Sequence, residues 1–165
     1  RPRSPFFAGG TTCPSLDMVG SRKAAVLPVP PAKKGDRGRR RRNAARGRGP
    51  LMLVITPTRE LAQQIDEVCT TVAKRTGHTA VTVVGGLSYG PQKQALARGC
   101  DILVATPGRL VDLIEQGAAN LDEVGVLVLD EADRMLDMGF LPQVRTIVSK
   151  CREERQTLLF SATLD

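Results

Sequence analysis

A single histidine, His78, and four cysteines standing far apart at Cys13, Cys69, Cys100 and Cys151 leave this chain with no Cys-x-x-Cys pair and no Cys/His cluster. That excludes a zinc-type metal centre and points to reduced thiols in the cytoplasm or nucleus, placed as ordinary core or surface residues. No apolar run approaches the roughly 18 residues of a membrane span, and no leader with an apolar centre is visible. The chain opens on Arg1 instead of Met, which suggests a fragment or an incomplete gene model.

What is present falls into two unlike parts. The 165 residues, 41% hydrophobic, suffice for one ordinary domain with a core and not for two. Residues 1–50 carry 13 Lys/Arg against only Asp17 and Asp36, a balance of +11, whereas residues 51–165 carry 11 against 15, a balance of −4. The net charge of +7 therefore belongs to an arm, and a basic arm selects nucleic acid or an acidic surface as partner. Seven Gly and seven Pro share residues 1–50 with the run Arg37-Gly38-Arg39-Arg40-Arg41-Arg42. Such composition buries too little apolar surface to offset chain entropy, so disorder is expected over about residues 30–50. A solvated linker, RNA binding and nuclear import all fit that tract.

From Leu51 onward short β-rich runs alternate with helical patterns. Strands are expected at Leu51–Thr56, Ala80–Val84, Asp101–Ala105, Val126–Asp130 and Thr157–Ser161. Between the first two, Leu61, Ile65, Val68 and Val72 mark a helix face, with Thr58 as its cap and Gly77 as its stop. Further helices are marked by Leu96 and Ala97, by Leu110, Leu113 and Ile114, and by Val144, Ile147 and Val148. Strands joined by helical crossovers imply an α/β fold with a mostly parallel, doubly wound sheet.

Each strand run ends in small or polar residues, and a parallel sheet gathers such ends on its carboxyl edge, where open α/β sheets bind ligands. The most telling is Asp130-Glu131-Ala132-Asp133, where the run Val126-Leu127-Val128-Leu129 delivers adjacent carboxylates to a strand end. Burying acids beside a core is costly, and Mg²⁺ with a nucleotide phosphate is a common compensation. The plainer alternative is that Asp130 caps the next helix.

The separated motifs Pro57-Thr58-Arg59-Glu60-Leu61-Ala62, Gly85-Gly86, Thr106-Pro107-Gly108-Arg109, Asp130-Glu131-Ala132-Asp133 and Ser161-Ala162-Thr163 together resemble the first RecA-like domain of the DEAD-box RNA helicases, from Leu51 to the C-terminus. The resemblance implies a P-loop NTPase fold, ATP and Mg²⁺ as cofactors, and a second RecA-like domain as partner. It implies that Asp130 holds Mg²⁺ through water, with Asp133 also on the nucleotide side, and that Glu131 orients the water attacking the γ-phosphate. Asp133, Ser161 and Thr163 would couple nucleotide state to RNA. Arg59, Gly86, Thr106, Gly108 and Arg109 would grip the RNA backbone without reading bases. By the residues alone, Arg59 could instead pair with Glu60 or Glu67, while Arg134, Asp137 and Met138 read as helix surface or packing.

The chain departs from that family's pattern in its phosphate-binding loop, in having no identifiable adenine-recognising segment before Asp17, and in stopping at Asp165 short of a second RecA-like domain. No Gly-x-x-x-x-Gly-Lys-Ser/Thr loop is present. Asp17-Met18-Val19-Gly20 resembles the lead-in strand and Ala25-Val26-Leu27-Pro28 the end of the following helix, with only Ser21, Arg22, Lys23 and Ala24 between them. Lys23 is the one candidate there for a phosphate contact. Residues 1–50 thus read as a basic segment with a strand remnant, and 51–165 as an incomplete helicase domain. The chain alone is expected to be inactive, either as part of an ATP-dependent RNA helicase or as a degenerate domain that binds RNA or protein without hydrolysis.

Overall fold

Apolar residues fill every position of three of the five strands, so these strands need cover on both faces, and the chain supplies it with helices. The structure, a computed structural model, describes residues 49–161. The strands are β1 (Met52–Ile55), β2 (Ala80–Val83), β3 (Ile102–Ala105), β4 (Val126–Leu129) and β5 (Gln156–Leu159), and the helices α1 (Arg59–Thr76), α2 (Tyr89–Ala97), α3 (Pro107–Glu115), α4 (Ala132–Asp137) and α5 (Leu141–Lys150). All neighbours pair in parallel, in the order β2-β3-β1-β4-β5. The doubly wound parallel sheet expected from the alternation of runs is the one observed. Each strand is shorter than its expected span: Thr56 and Asp130 leave the ladder at the carboxyl ends of β1 and β4, Asp101 at the amino end of β3 and Val84 at the end of β2, while β5 begins one residue early and stops at Leu159. The arm and its expected disorder, the Asp17–Gly20 lead-in, Lys23 and Thr163 lie outside the described residues.

Alternation along β1 divides the core in two. Leu53 and Ile55 face a cluster with Leu110, Leu113, Met135 and Ile147 from α3, α4 and α5, whereas Met52 and Val54 face Ala62, Cys69 and Ala73 of α1. The buried face of α1 is therefore rotated from the one its larger residues suggest. Val68 is 48% exposed, and the residues against the sheet are Ala62, Cys69 and Ala73, with Ile65 partly buried. Small side chains let the helix lie close on Met52, Val54 and Val128; of the expected stripe Leu61, Ile65 and Val72 are partly buried and only Val68 turns to solvent. The limits of α1 are the expected ones. Thr58 Oγ1 accepts from the Leu61 backbone N–H at 3.3 Å, and Gly77 ends the helix at φ +74°, a conformation that favours glycine.

Cys69, Cys100 and Cys151 are free and buried. Burial pushes their thiols up to about 11, about 12 and about 11. Thiolate, not thiol, is the nucleophile. At pH 8 Ellman's reagent should therefore label no more than one thiol per native chain within minutes, and all four after addition of denaturant. Rapid labelling of three or more in the native chain would contradict this packing.

Candidate functional site

A parallel sheet fixes where the strand-end segments go: all of them emerge at one edge. The ends of β1 and β2 meet first. Arg59, the first residue of α1, extends over Gly86, and a Cβ built on Gly86 would stand 3.2 Å from Arg59 Nη1. Gly86 also has φ +78°, so a side chain there would face both backbone strain and that guanidinium. The ion pair allowed by the sequence is present, with Arg59 Nη2 3.7 Å from Glu60 Oε1, but both groups are exposed and such pairs hold little energy. Gln92, which the sequence did not single out, pins the end of β2: its amide accepts from Val84 N–H at 3.2 Å and donates to Val84 C=O at 3.1 Å.

The end of β3 joins this group. Thr106 occupies the N-cap position of α3, yet its hydroxyl makes no capping bond and accepts from the Gly85 backbone N–H at 3.3 Å. A Cβ on Gly108 would meet nothing within 4 Å, so the first turn of α3 is open on that side. Arg109 is placed differently from what a surface phosphate clamp suggests. It is only 7% exposed, its guanidinium carbon lies 3.9 Å from the centroid of the Tyr89 ring, and its Nη1 is buried without a hydrogen-bond partner. The Tyr89 hydroxyl donates to Asp112 Oδ2 at 2.8 Å. That hydrogen bond, before any other cause, pushes the phenol above its ordinary value.

The end of β4 carries the acid pair. Asp130 N–H donates to Ile55 C=O at 2.9 Å, and Asp130 Oδ1 accepts from Glu131 N–H at 3.1 Å. Asp130 is not the helix cap. Glu131 holds the N-cap position of α4, makes no side-chain capping bond, and is the only non-glycine among the described residues with positive φ, at φ 50° and ψ 50°. A left-handed glutamate costs about 1 kcal/mol or more, and such strain clusters at functional sites. Its carboxylate meets Arg134 Nη1 at 3.2 Å, a half-exposed contact not anticipated from the sequence. Asp137 and Met138 are exposed, as expected of helix surface. Asp133, in the first turn of α4, is half-buried.

β5 reaches this segment through its backbone. Phe160 N–H donates to Leu129 C=O at 2.8 Å, and Ala132 N–H donates to Phe160 C=O at 3.0 Å. Ser161 therefore follows directly on the strand end laced to the acid pair. Among the described residues no three His, Cys, Asp or Glu side chains gather as a metal cluster. Adjacent strand-end carboxylates without a full protein cage suit Mg²⁺, which keeps several waters and takes one or two carboxylates plus phosphate oxygens. The single histidine has no part here: His78 Nδ1 lies 3.3 Å from Asp101, next to the start of β3. No described helix is long and apolar enough to cross a membrane.

Residues 19–165 match a family model described as DEAD/DEAH box helicase. ATP-dependent RNA helicase p62 of Drosophila melanogaster is 55% identical over 118 residues, covering 72% of this chain and 16% of that protein. DEAD-box ATP-dependent RNA helicase 5 of Oryza sativa subsp. japonica is 45% identical over 159 residues, covering 96% of this chain and 31% of that protein. In the crystal structure of the yeast DEAD-box splicing factor Prp28, 28% of that chain superimposes on 71% of this one at 43% identity and a TM-score of 0.67. The chain thus spans less than a third of the length of each.

Proposed function

Because this chain belongs to the DEAD/DEAH box helicase family, we propose that it is the RecA-like first domain of an ATP-dependent RNA helicase, coupling ATP hydrolysis to RNA remodelling. The observation that carries this reading is the shared carboxyl edge of a wholly parallel sheet, where Arg59, Gly86, Thr106 and Gly108 stand on one stretch and Asp130 and Glu131 on the next. Phosphoryl transfer needs positioning and charge neutralisation more than covalent help. Asp130 is suited to hold Mg²⁺ through water, and Asp133 to stand on the nucleotide side. Mg²⁺, when bound, neutralises charge on the phosphates. Glu131 orients the attacking water and takes its proton. Ser161 and Thr163 belong to the link between nucleotide and RNA, and Lys23 is the phosphate contact of the shortened loop. With Ser21–Ala24 in place of an intact phosphate-binding loop, residues 1–165 by themselves are expected to be inactive.

For RNA, open glycine backbone and a helix N-terminus favour phosphate oxygens, and Arg59 adds a charged fork. None of these groups reads a base edge. The basic arm, with 13 Lys/Arg in residues 1–50, supplies most of the counterion release. Fluorescence anisotropy tests this: RNA oligomers of equal length and scrambled sequence should bind within about threefold of one another, and deleting residues 31–50 should flatten log K against log salt by several units. An unchanged slope would move the main binding surface to the folded domain, and strong sequence preference would contradict backbone recognition. The cytoplasm or the nucleus is the compartment proposed, in keeping with RNA as ligand.

A further inference from the structure

Arg109 is an odd residue to find sealed. A guanidinium is among the costliest groups to bury, yet Arg109 is 7% exposed with Nη1 unpartnered, and no carboxylate pairs with it among the described residues. What covers it is Tyr89, itself 38% exposed, whose ring lies over the guanidinium at 3.9 Å. The cover is fastened through its hydroxyl, which donates to Asp112 Oδ2 at 2.8 Å. Tyr89 begins α2, whereas Arg109 and Asp112 lie one turn apart on α3, so the fastening spans two strand-end segments. Beneath the ring is a buried guanidinium whose Nη1 lacks an acceptor, on the first turn of a nine-residue helix whose N-terminus favours anions.

We propose that Tyr89 is a lid over Arg109, latched by Asp112, which lifts when a backbone phosphate enters and takes the guanidinium. The proposal rests on the RNA reading above and concerns how that site opens. In the closed state the ring's π-face stands in for an anion, an attraction that strengthens as water is excluded. A phosphate offers Arg109 a charge-assisted, two-pronged partner that the ring cannot match, and supplies the acceptor that Nη1 lacks. Opening gives up the ring contact and the hydrogen bond to Asp112. Removing the latch or the lid should therefore tighten phosphate binding. A merely structural Tyr89 predicts the opposite, since cutting a strut between two binding loops would loosen them.

The sequence holds one tyrosine and no tryptophan, so tyrosine emission reports on Tyr89 alone. An abasic ribose-phosphate oligomer is the suitable probe, because it presents the backbone without absorbing the exciting light. Added to the 165-residue chain, it should raise Tyr89 emission saturably as the quenching carboxylate hydrogen bond is lost. With a labelled oligomer followed by anisotropy, Tyr89→Phe, which keeps the ring and loses the hydroxyl's bonds, should bind about threefold tighter, and Tyr89→Ala about tenfold tighter. Silent emission, with both variants binding no tighter than the parent, would overturn the lid. If Arg59→Ala nevertheless weakens binding, the RNA reading stands and the lid alone fails. If Arg59→Ala is silent as well, the RNA reading of this edge falls and takes the lid with it.

Discussion

Glu131→Gln is expected to lower RNA-stimulated ATP turnover at least about a hundredfold while leaving ATP binding intact, the scale of losing water activation and charge stabilisation together. The setting for this measurement is a chimera in which residues 21–24 give way to an intact phosphate-binding loop and a second RecA-like domain follows Asp165. Glutamine keeps the shape of the side chain but cannot take a proton from water. The backbone that presents it, at φ 50° and ψ 50°, is unusual for glutamate and expensive to hold without a purpose. Release from Arg134 at 3.2 Å is no obstacle, because a half-exposed pair is worth at most about 1 kcal/mol. Asp130→Ala should differ in kind, weakening Mg²⁺-dependent nucleotide binding itself. Steady-state kinetics with equilibrium nucleotide binding separates the two. Equal turnover in Glu131→Gln and its parent would reduce the acid pair to the start of a helix.

Leu127→Ala is expected to remove about 3 kcal/mol of folding stability, the middle of the range for truncating a buried leucine. Leu127 has no exposed surface, lies on β4 between β1 and β5, and packs in the larger core cluster with Leu53 and Ile147. Few of those neighbours can collapse into the space, because β4 is held on both sides by backbone ladders. Against a total of roughly 5–15 kcal/mol for a domain, the loss is large. Urea denaturation of the 165-residue chain followed by far-UV circular dichroism measures it, and a change below about 1 kcal/mol would contradict the packing. Since β4 delivers Asp130 and Glu131, the same change should also blur the acid pair before the domain unfolds.

What could be read from the sequence was whatever depends on local chemistry. Continuous apolar runs marked β1, β3 and β4 because strands buried on both faces need no alternation. Thr58 and Gly77 marked the limits of α1 through requirements of backbone hydrogen bonding and handedness. On α1 residue size does not rank burial: the close approach of helix to sheet selects Ala62, Cys69 and Ala73, leaves Leu61, Ile65 and Val72 partly buried and Val68 exposed. The order of strands, with β1 between β3 and β4, follows from tertiary packing and leaves no local trace. The same holds at the site. The motifs named its members, but the bond from Gly85 N–H to Thr106 and the bond from Tyr89 to Asp112 join residues 21 and 23 positions apart. Glu131 in the left-handed region was invisible for another reason, since glutamate is not a residue that announces such a turn.

The central claim is that this carboxyl edge joins a nucleotide-hydrolysing acid pair to an RNA-gripping surface, and it is tested most directly by ATP hydrolysis in the chimera with and without a single-stranded RNA of mixed sequence. Hydrolysis should be slow alone and rise at least about tenfold on saturation with RNA, and Arg59→Ala should raise the RNA concentration needed for half stimulation without changing the plateau. Hydrolysis at the same rate with and without RNA would contradict the account, because the two halves of the edge would then not act as one site.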